Sequence, residues 1–352
     1  MSIETEYQKL LNAENLLAGK RIKKIIEQAT REISVKIYGR NVRLPKTGAG
    51  GAFLYNKRLK LTIEDIFAKM NLEIQAVIES EIKSSWKLSN NLNDEILKKY
   101  MAGIVVPGDL LKKITNRNMK AMNAFIKRSQ GGLNLSKRIW RHTKVAKSQI
   151  ELYLGTGILE GKSAASLSRD VRELLMEPKR LFRRVRDKNG NLVLSKAARK
   201  YHPGQGVYRS SYKNALRLTA TENNMAYRMA DHLRHVQTPF ILGIQIVLSA
   251  QHPRPDICDE LQGRYPKGFF FMGWHSWCIC HSRTILPKKD DFVKYLKTGK
   301  LNNRRFVSSI PRRANRFLKR NRKNILGMKT QPFWMENFTQ DMKLRSEVLK
   351  YK

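Results

Sequence analysis

Asp256-Ile-Cys258-Asp-Glu-Leu261 and, further on, Gly273-Trp-His275-Ser-Trp-Cys278-Ile-Cys280 hold every cysteine of the 352-residue chain, with His252 and His281 beside them. Three cysteines cannot all pair, and a Cys-x-Cys is too tight for an ordinary disulfide. Thiolate is a soft donor and imidazole a borderline one, so a short segment dense in both suits Zn²⁺, which takes four such ligands in a tetrahedron. The expected ligands are Cys258, His275, Cys278 and Cys280. His252, Asp256 and His281 stand in reserve or behind the ligands. The loop from Asp259 to Tyr265 and the run Phe269-Phe-Phe271 leave room for a turn and a short strand that bring the donors together. A site closed by four donors fixes a fold and does not activate water. The competing reading is three buried free cysteines among Phe271, Trp274 and Trp277.

Outward from this segment, Phe240 to Ser249 alternates as a strand does. Before it, residues 211–235 read as a helix on which Ala215, Leu218, Glu222, Ala226, Met229 and Leu233 share one face. A carboxylate in that stripe is expected at its rim or paired with an arginine, so Glu222 and Arg217 are read as structural. A general base is the alternative for Glu222. Further upstream, Leu181-Phe-Arg-Arg-Val-Arg186 and Asn191-Leu-Val-Leu194 flank Asp187-Lys-Asn-Gly190, and Asn-Gly supplies the positive φ of a hairpin turn. That predicts a basic β-hairpin. Gly155 to Ser163 resembles a phosphate-binding loop but has Thr156 where the first glycine belongs; it reads as a glycine-capped helix end followed by a helix from Ser163 to Met176. In the first third, helices are expected over 4–35, from Thr62 toward Trp86, and after Asn91, Asp109 and Ser136. A glycine-rich mobile loop is expected near 38–60.

Lysine and arginine total 69 against 29 aspartate and glutamate, a formal charge of +40. Such an excess repels itself unless a polyanion neutralises it, and nucleic acid is the natural counter-ion. The expected phosphate contacts are Arg183, Arg184, Arg186 and Lys188 on the hairpin, and Arg304, Arg305, Arg312, Arg313, Arg316, Lys319 and Arg320 near the end. No apolar run approaches the ~20 residues a spanning helix needs. The acidic start lacks the basic and apolar regions of a secretory signal, so reducing surroundings are expected.

The order Phe182-Arg-Arg-Val-Arg-Asp187, Tyr201-His-Pro-Gly204, Tyr208-Arg-Ser-Ser211, Thr221-Glu222-x-Asn224-x-Ala226-Tyr227-Arg228, Asp256-Ile-Cys258-x-x-Leu261-x-Gly263 and Gly273-Trp-His275-x-x-Cys278-x-Cys280 resembles the phage head morphogenesis family, the Mu F-like minor capsid proteins. The resemblance covers about residues 136–287. It implies a minor head protein near the portal or inside the procapsid that contacts packaged DNA and is not by itself an established enzyme. Double-stranded DNA and the portal or major capsid protein would be its partners, with the virion as destination and the host cytoplasm during assembly. Many relatives carry another cysteine three residues before the one matching Cys258; Pro255 stands there, and Asp256 or His252 is the substitute. Some relatives add a toxin domain, for which the stretch beyond Pro287 is too short and too basic.

The expected fold is mainly α with a smaller α+β module containing long helices, the hairpin and a zinc-stapled region. It divides into a helical region 1–135, a module 136–287 and a basic extension 288–352. A DNA-holding structural protein is the leading functional expectation. A zinc-dependent nuclease or other DNA-processing enzyme, with His252, Asp256 or His281 beside the metal, is the alternative.

Overall fold

The structure, a computed structural model, describes residues 2–38, 57–159, 163–176, 184–190, 192–194, 211–249, 255–328 and 331–345. Helices dominate these residues. The elements are α1 (Ile3–Tyr38), α2 (Lys57–Tyr100), α3 (Gly108–Ile114), α4 (Met119–Lys127), α5 (Leu135–Leu159), α6 (Ala164–Met176), β1 (Arg184–Arg186), β2 (Leu192–Leu194) and α7 (Ser211–Gln237). There follow β3 (Gly243–Val247), α8 (Ile257–Leu261), β4 (Gly263–Tyr265), β5 (His281–Ile285), α9 (Lys289–Thr298) and α10 (Arg312–Leu326).

Several helix boundaries differ from the sequence reading for identifiable reasons. Thr62 does not cap a helix: α2 is already under way, and the Thr62 hydroxyl donates to the Arg58 carbonyl one turn back. Nor does a new helix begin at Asn91. Asn90 and Asn93 satisfy their amides on the Trp86 and Ser89 carbonyls, and α2 continues through them to Tyr100. Gly155 and Gly157 lie inside α5, which ends at Leu159, so they do not form its cap. Ser163 does initiate α6, its hydroxyl accepting from the Ser166 amide. At the start of α5 the Asn134 side chain accepts from the Lys137 amide, after a turn in which Gly131 and Gly132 both take positive φ. The loop expected near 38–60 lies outside the described residues over 39–56, while Tyr38 ends α1 and Lys57 opens α2.

The described residues group into two compact units that interleave along the chain. One comprises 1–15, 80–126 and 220–352; the other comprises 16–79 and 127–219. This grouping differs from the three successive stretches read from the sequence, because α1, α2 and α7 each contribute residues to both units.

Among its described residues the second unit is mainly helical, with β1 and β2 pairing antiparallel, Val185 opposite Val193. Buried hydrogen bonds join its helices: Ser34 donates to the Ser168 carbonyl, and Thr143 to Asn71 Oδ1.

The first unit holds the three-stranded sheet, in the order β4-β3-β5 and antiparallel throughout. Ile244 and Ile246 from the central strand enter a core with Leu261, Tyr265, Phe269, Phe271 and Trp274, and all three cysteines belong to it. The basic C-terminal region completes that core. Ala314, Leu318 and Ile325 of α10 lie in it with Trp334, Met335 and Phe338. Trp334 Nε1 donates to the Trp274 carbonyl at 3.0 Å, and Asn337 clamps both the amide and the carbonyl of Phe270. Burying this aromatic surface opposes the self-repulsion of the cations around it. Glu222 is fully buried in α7 of this unit, so of the two settings expected for it, the rim or a pairing with an arginine, it does not occupy the rim.

Candidate metal centre

Cys258 lies in the first turn of α8, where local chemistry fixes its place. Asp256 is the N-cap: its Oδ1 accepts from the Cys258 amide at 2.6 Å, and Asp259 Oδ2 accepts from the Asp256 amide at 2.8 Å. This reciprocal capping box holds a helix of only five residues. Cys278 and Cys280 flank Ile279 in the extended approach to β5. All three thiols are buried, and their sulfur atoms lie within 4.8 Å of one another.

The spacing suits a metal. Zn–S bonds of about 2.3 Å require tetrahedral edges of roughly 3.8 Å between sulfurs and roughly 3.6 Å from sulfur to nitrogen. Cys258 Sγ lies 3.9 Å from Cys278 Sγ and 3.2 Å from His275 Nε2. His275 Nδ1 is 2.6 Å from the Ser276 carbonyl, an acceptor that only an N–H can face. The Nδ1–H tautomer satisfies that carbonyl and would leave the Nε2 lone pair, beside Cys258 Sγ, for a metal.

The donors form two groups that share Cys258. The three thiols make one; Asp256, Cys258 and His275 make the other, with Asp256 Oδ2 3.2 Å from His275 Nε2. The thiol group is sealed, whereas His275 and Asp256 are 38% and 37% exposed at their side chains. Asp256 thus joins the His275 group, and of the three thiols His275 is grouped with Cys258 alone. His252 lies outside the described residues. His281 is buried on β5 and joins neither group.

The electrostatics of the cluster are those of thiols that could hold a cation. The Cys278 thiol is held well below the usual thiol range, first by its contacts with Cys258 and Cys280 and then by Arg228. Its contact with Cys278 is the largest effect pushing Cys258 far up. Cys280 is drawn down by Cys258 but pushed up more by Cys278 and burial, to about 12. Clustered buried thiols share a single easy ionisation, and a divalent ion bound there would supply the countercharge for the rest.

Arg228 organises the site from behind. Its buried guanidinium donates to the carbonyls of Met272 at 2.9 Å, Cys278 at 2.6 Å and Cys280 at 2.7 Å, and lies 4.8 Å from the Phe271 ring centroid. Asn224, one turn earlier on α7, also donates to the Cys278 carbonyl. Gly273 makes room for this arrangement: its φ is +103°, and a Cβ there would meet an Arg228 nitrogen at 2.4 Å. The sequence reading missed Arg228 and Gly273 as parts of the site. The available signal was a pair of polar residues, Asn224 and Arg228, four apart and so on one face of the helix.

The expected phosphate contacts are dispersed. On α10, Arg312, Arg316, Lys319 and Arg320 are exposed on the face opposite Ala314, Leu318 and Ile325. None of the four forms an ion pair with a described residue, whereas Arg313 pairs with Glu260. Arg304 is exposed, and Arg305 is tied to Asp291. On the hairpin, Lys188 and Arg186 are exposed, and Arg186 donates to the Gly190 carbonyl. Arg184 begins β1, and Arg183 lies outside the described residues. Among the described residues, no helix is long and apolar enough to cross a membrane.

Comparison with known proteins finds no matching family model, no matching curated protein and no matching solved structure.

Proposed function

We propose that the chain is a phage minor head protein of the Mu F-like kind. In this reading it resides in the virion at the portal vertex or capsid interior, after assembly with portal or major capsid protein in the host cytoplasm. It holds packaged double-stranded DNA through phosphates, and a structural zinc ion staples the module that anchors its basic surface. The observation that carries this reading is the buried cluster of Cys258, Cys278 and Cys280 with His275 Nε2 3.2 Å from Cys258 Sγ. Those are the positions at which the sequence resembles the family's most specific motif. A zinc ion on three thiolates and one neutral imidazole has a net charge of about −1, which the Arg228 guanidinium balances.

The division of labour follows from the first unit's core. The cysteines and the apolar face of α10 belong to one cluster. Stapling the cysteines therefore steadies the helix that presents Arg312, Arg316, Lys319 and Arg320 to a polyanion. Lysine and arginine contacts to phosphate release counterions, so affinity falls steeply with salt and hardly changes with base sequence. DNA binding measured between 50 and 200 mM salt tests this. A loss of about 10³-fold or more, equal for unrelated sequences, supports the reading; a hundredfold preference for one sequence overturns it.

The exposed His275–Asp256 side favours a second reading, a zinc-dependent nuclease, since a catalytic metal needs an accessible position and a nearby base. Plasmid nicking with Zn²⁺, Mg²⁺ or Mn²⁺ separates the two. Cleavage lost in Asp256→Asn, in protein that retains its zinc, would replace the structural reading by the catalytic one.

A further inference from the structure

In the second unit, α2 and α5 enclose a cavity of about 720 Å³, the size of pocket that accepts a ligand or an anchoring side chain. Phe67, Ala68 and Leu133 supply apolar lining, and the Trp140 indole, 45% exposed, forms one wall. Lys137, Arg141 and Lys144 recur at i, i+4 and i+7 beside Trp140, so one face of α5 rings an aromatic surface with exposed cations. Lys147, one turn on, is engaged by Glu64.

The rim also holds Glu64 and Asp65, but these two carboxylates are outnumbered by Lys137, Arg141, Lys144 and Lys147, so it favours an anion, and the interior decides which kind. The Thr143 hydroxyl, the neutral polar group of the lining, is buried and already bonded to Asn71 and the Ile139 carbonyl. Little remains to satisfy the polar edge of a nucleobase, whereas the apolar lining suits aliphatic or aromatic side chains. Residues 39–56 of the chain carry Arg40, Arg43 and Lys46 and no acid, and a second copy would bring +40 of like charge. Neither complements the rim.

We propose that this cavity docks an acidic amphipathic helix of a partner protein. The partner's apolar side chains lie on Ala68, Leu133 and Trp140, and its carboxylates face Lys137, Arg141 and Lys144. A groove between two helices, with an apolar floor and charged margins, is the usual seat for such a segment. The inference is independent of the metal centre.

The test uses the full chain and a labelled synthetic peptide of about 18 residues, with leucine on one helical face and glutamate elsewhere. Binding is followed by fluorescence anisotropy at ~0.15 M salt, where loose attraction between exposed charges is screened. The expected result is saturable binding that weakens about tenfold or more in Trp140→Ala and in Ala68→Trp, which fills the cavity without touching a cation. Arg141→Glu weakens it similarly, as does replacing the peptide's leucines by alanine. Far-UV circular dichroism checks folding, and Trp140→Ala, at an exposed position, remains informative if Ala68→Trp does not fold. Unchanged peptide binding in both cavity variants overturns the proposal. Displacement by oligothymidylate that itself depends on Trp140 would make the cavity a nucleic-acid site. A tenfold gain in peptide affinity on replacing Phe53, Leu54 and Tyr55 by serine would make the chain's own segment the occupant.

Discussion

At the scale of single residues, the site depends on groups that never touch a metal. Arg228 bonds three carbonyls of the loop that carries Cys278 and Cys280. Arg228→Met keeps most of the volume but removes those bonds and the charge, so zinc affinity in a chelator competition is expected to fall about 10–100-fold. Equal affinity in the variant would mean that the loop orders itself. Gly273→Ala forces a Cβ into Arg228 at a backbone angle that side chains resist; a loss of about 2 kcal/mol or more is expected in urea denaturation. His232 is buried against Phe270, with ring centroids 4.8 Å apart. Burial, and secondarily His235, lower its pKa to about 4. Because the folded value lies below the ordinary 6.5, the unfolded chain binds the proton more tightly. His232 therefore contributes stability that is fully present above pH 6.5 and is lost as pH falls toward 4, by roughly 3 kcal/mol. In His232→Phe the pH dependence of the urea midpoint over this range should flatten; an unchanged slope would assign the effect to other groups.

Among the elements, α10 carries the account of DNA binding. Its two faces are separable: Ala314, Leu318 and Ile325 hold it to the core, while Arg312, Arg316, Lys319 and Arg320 lie on the other side. Replacing these four by glutamine should leave folding intact and lower the slope of log affinity against log salt by about 3–4. Replacing Arg313 and Arg322, which already pair with Glu260 and Asp341, should change it much less. Equal effects of the two sets would show that the charge acts as a diffuse cloud. This element also marks what the sequence conceals. Its charge run was plain, but the apolar residues at 314, 318 and 325 are sparse, and their partners lie far away in the chain. Long periodic helices such as α1 were legible because their signal is local. The continuity of α2 through Asn90 and Asn93 was not, because side-chain bonds to the preceding turn make good residues that resemble breaks.

For the whole molecule, the Cys258/His275/Cys278/Cys280 cluster was visible because thiols and imidazoles are rare and bunched. Its support was hidden, since Arg228 reaches the site only after α7 packs against it. The first unit places its three cysteines in the same core as β3, α10 and Trp334, with His275 beside Cys258. One claim underlies the functional reading: a metal on these donors holds the unit together. X-ray absorption at the zinc edge, on protein purified without chelators, tests it directly. The account predicts about one zinc per chain, with three sulfur neighbours at ~2.3 Å and one nitrogen at ~2.0 Å. Less than about 0.2 zinc per chain, or a shell without sulfur, would contradict it.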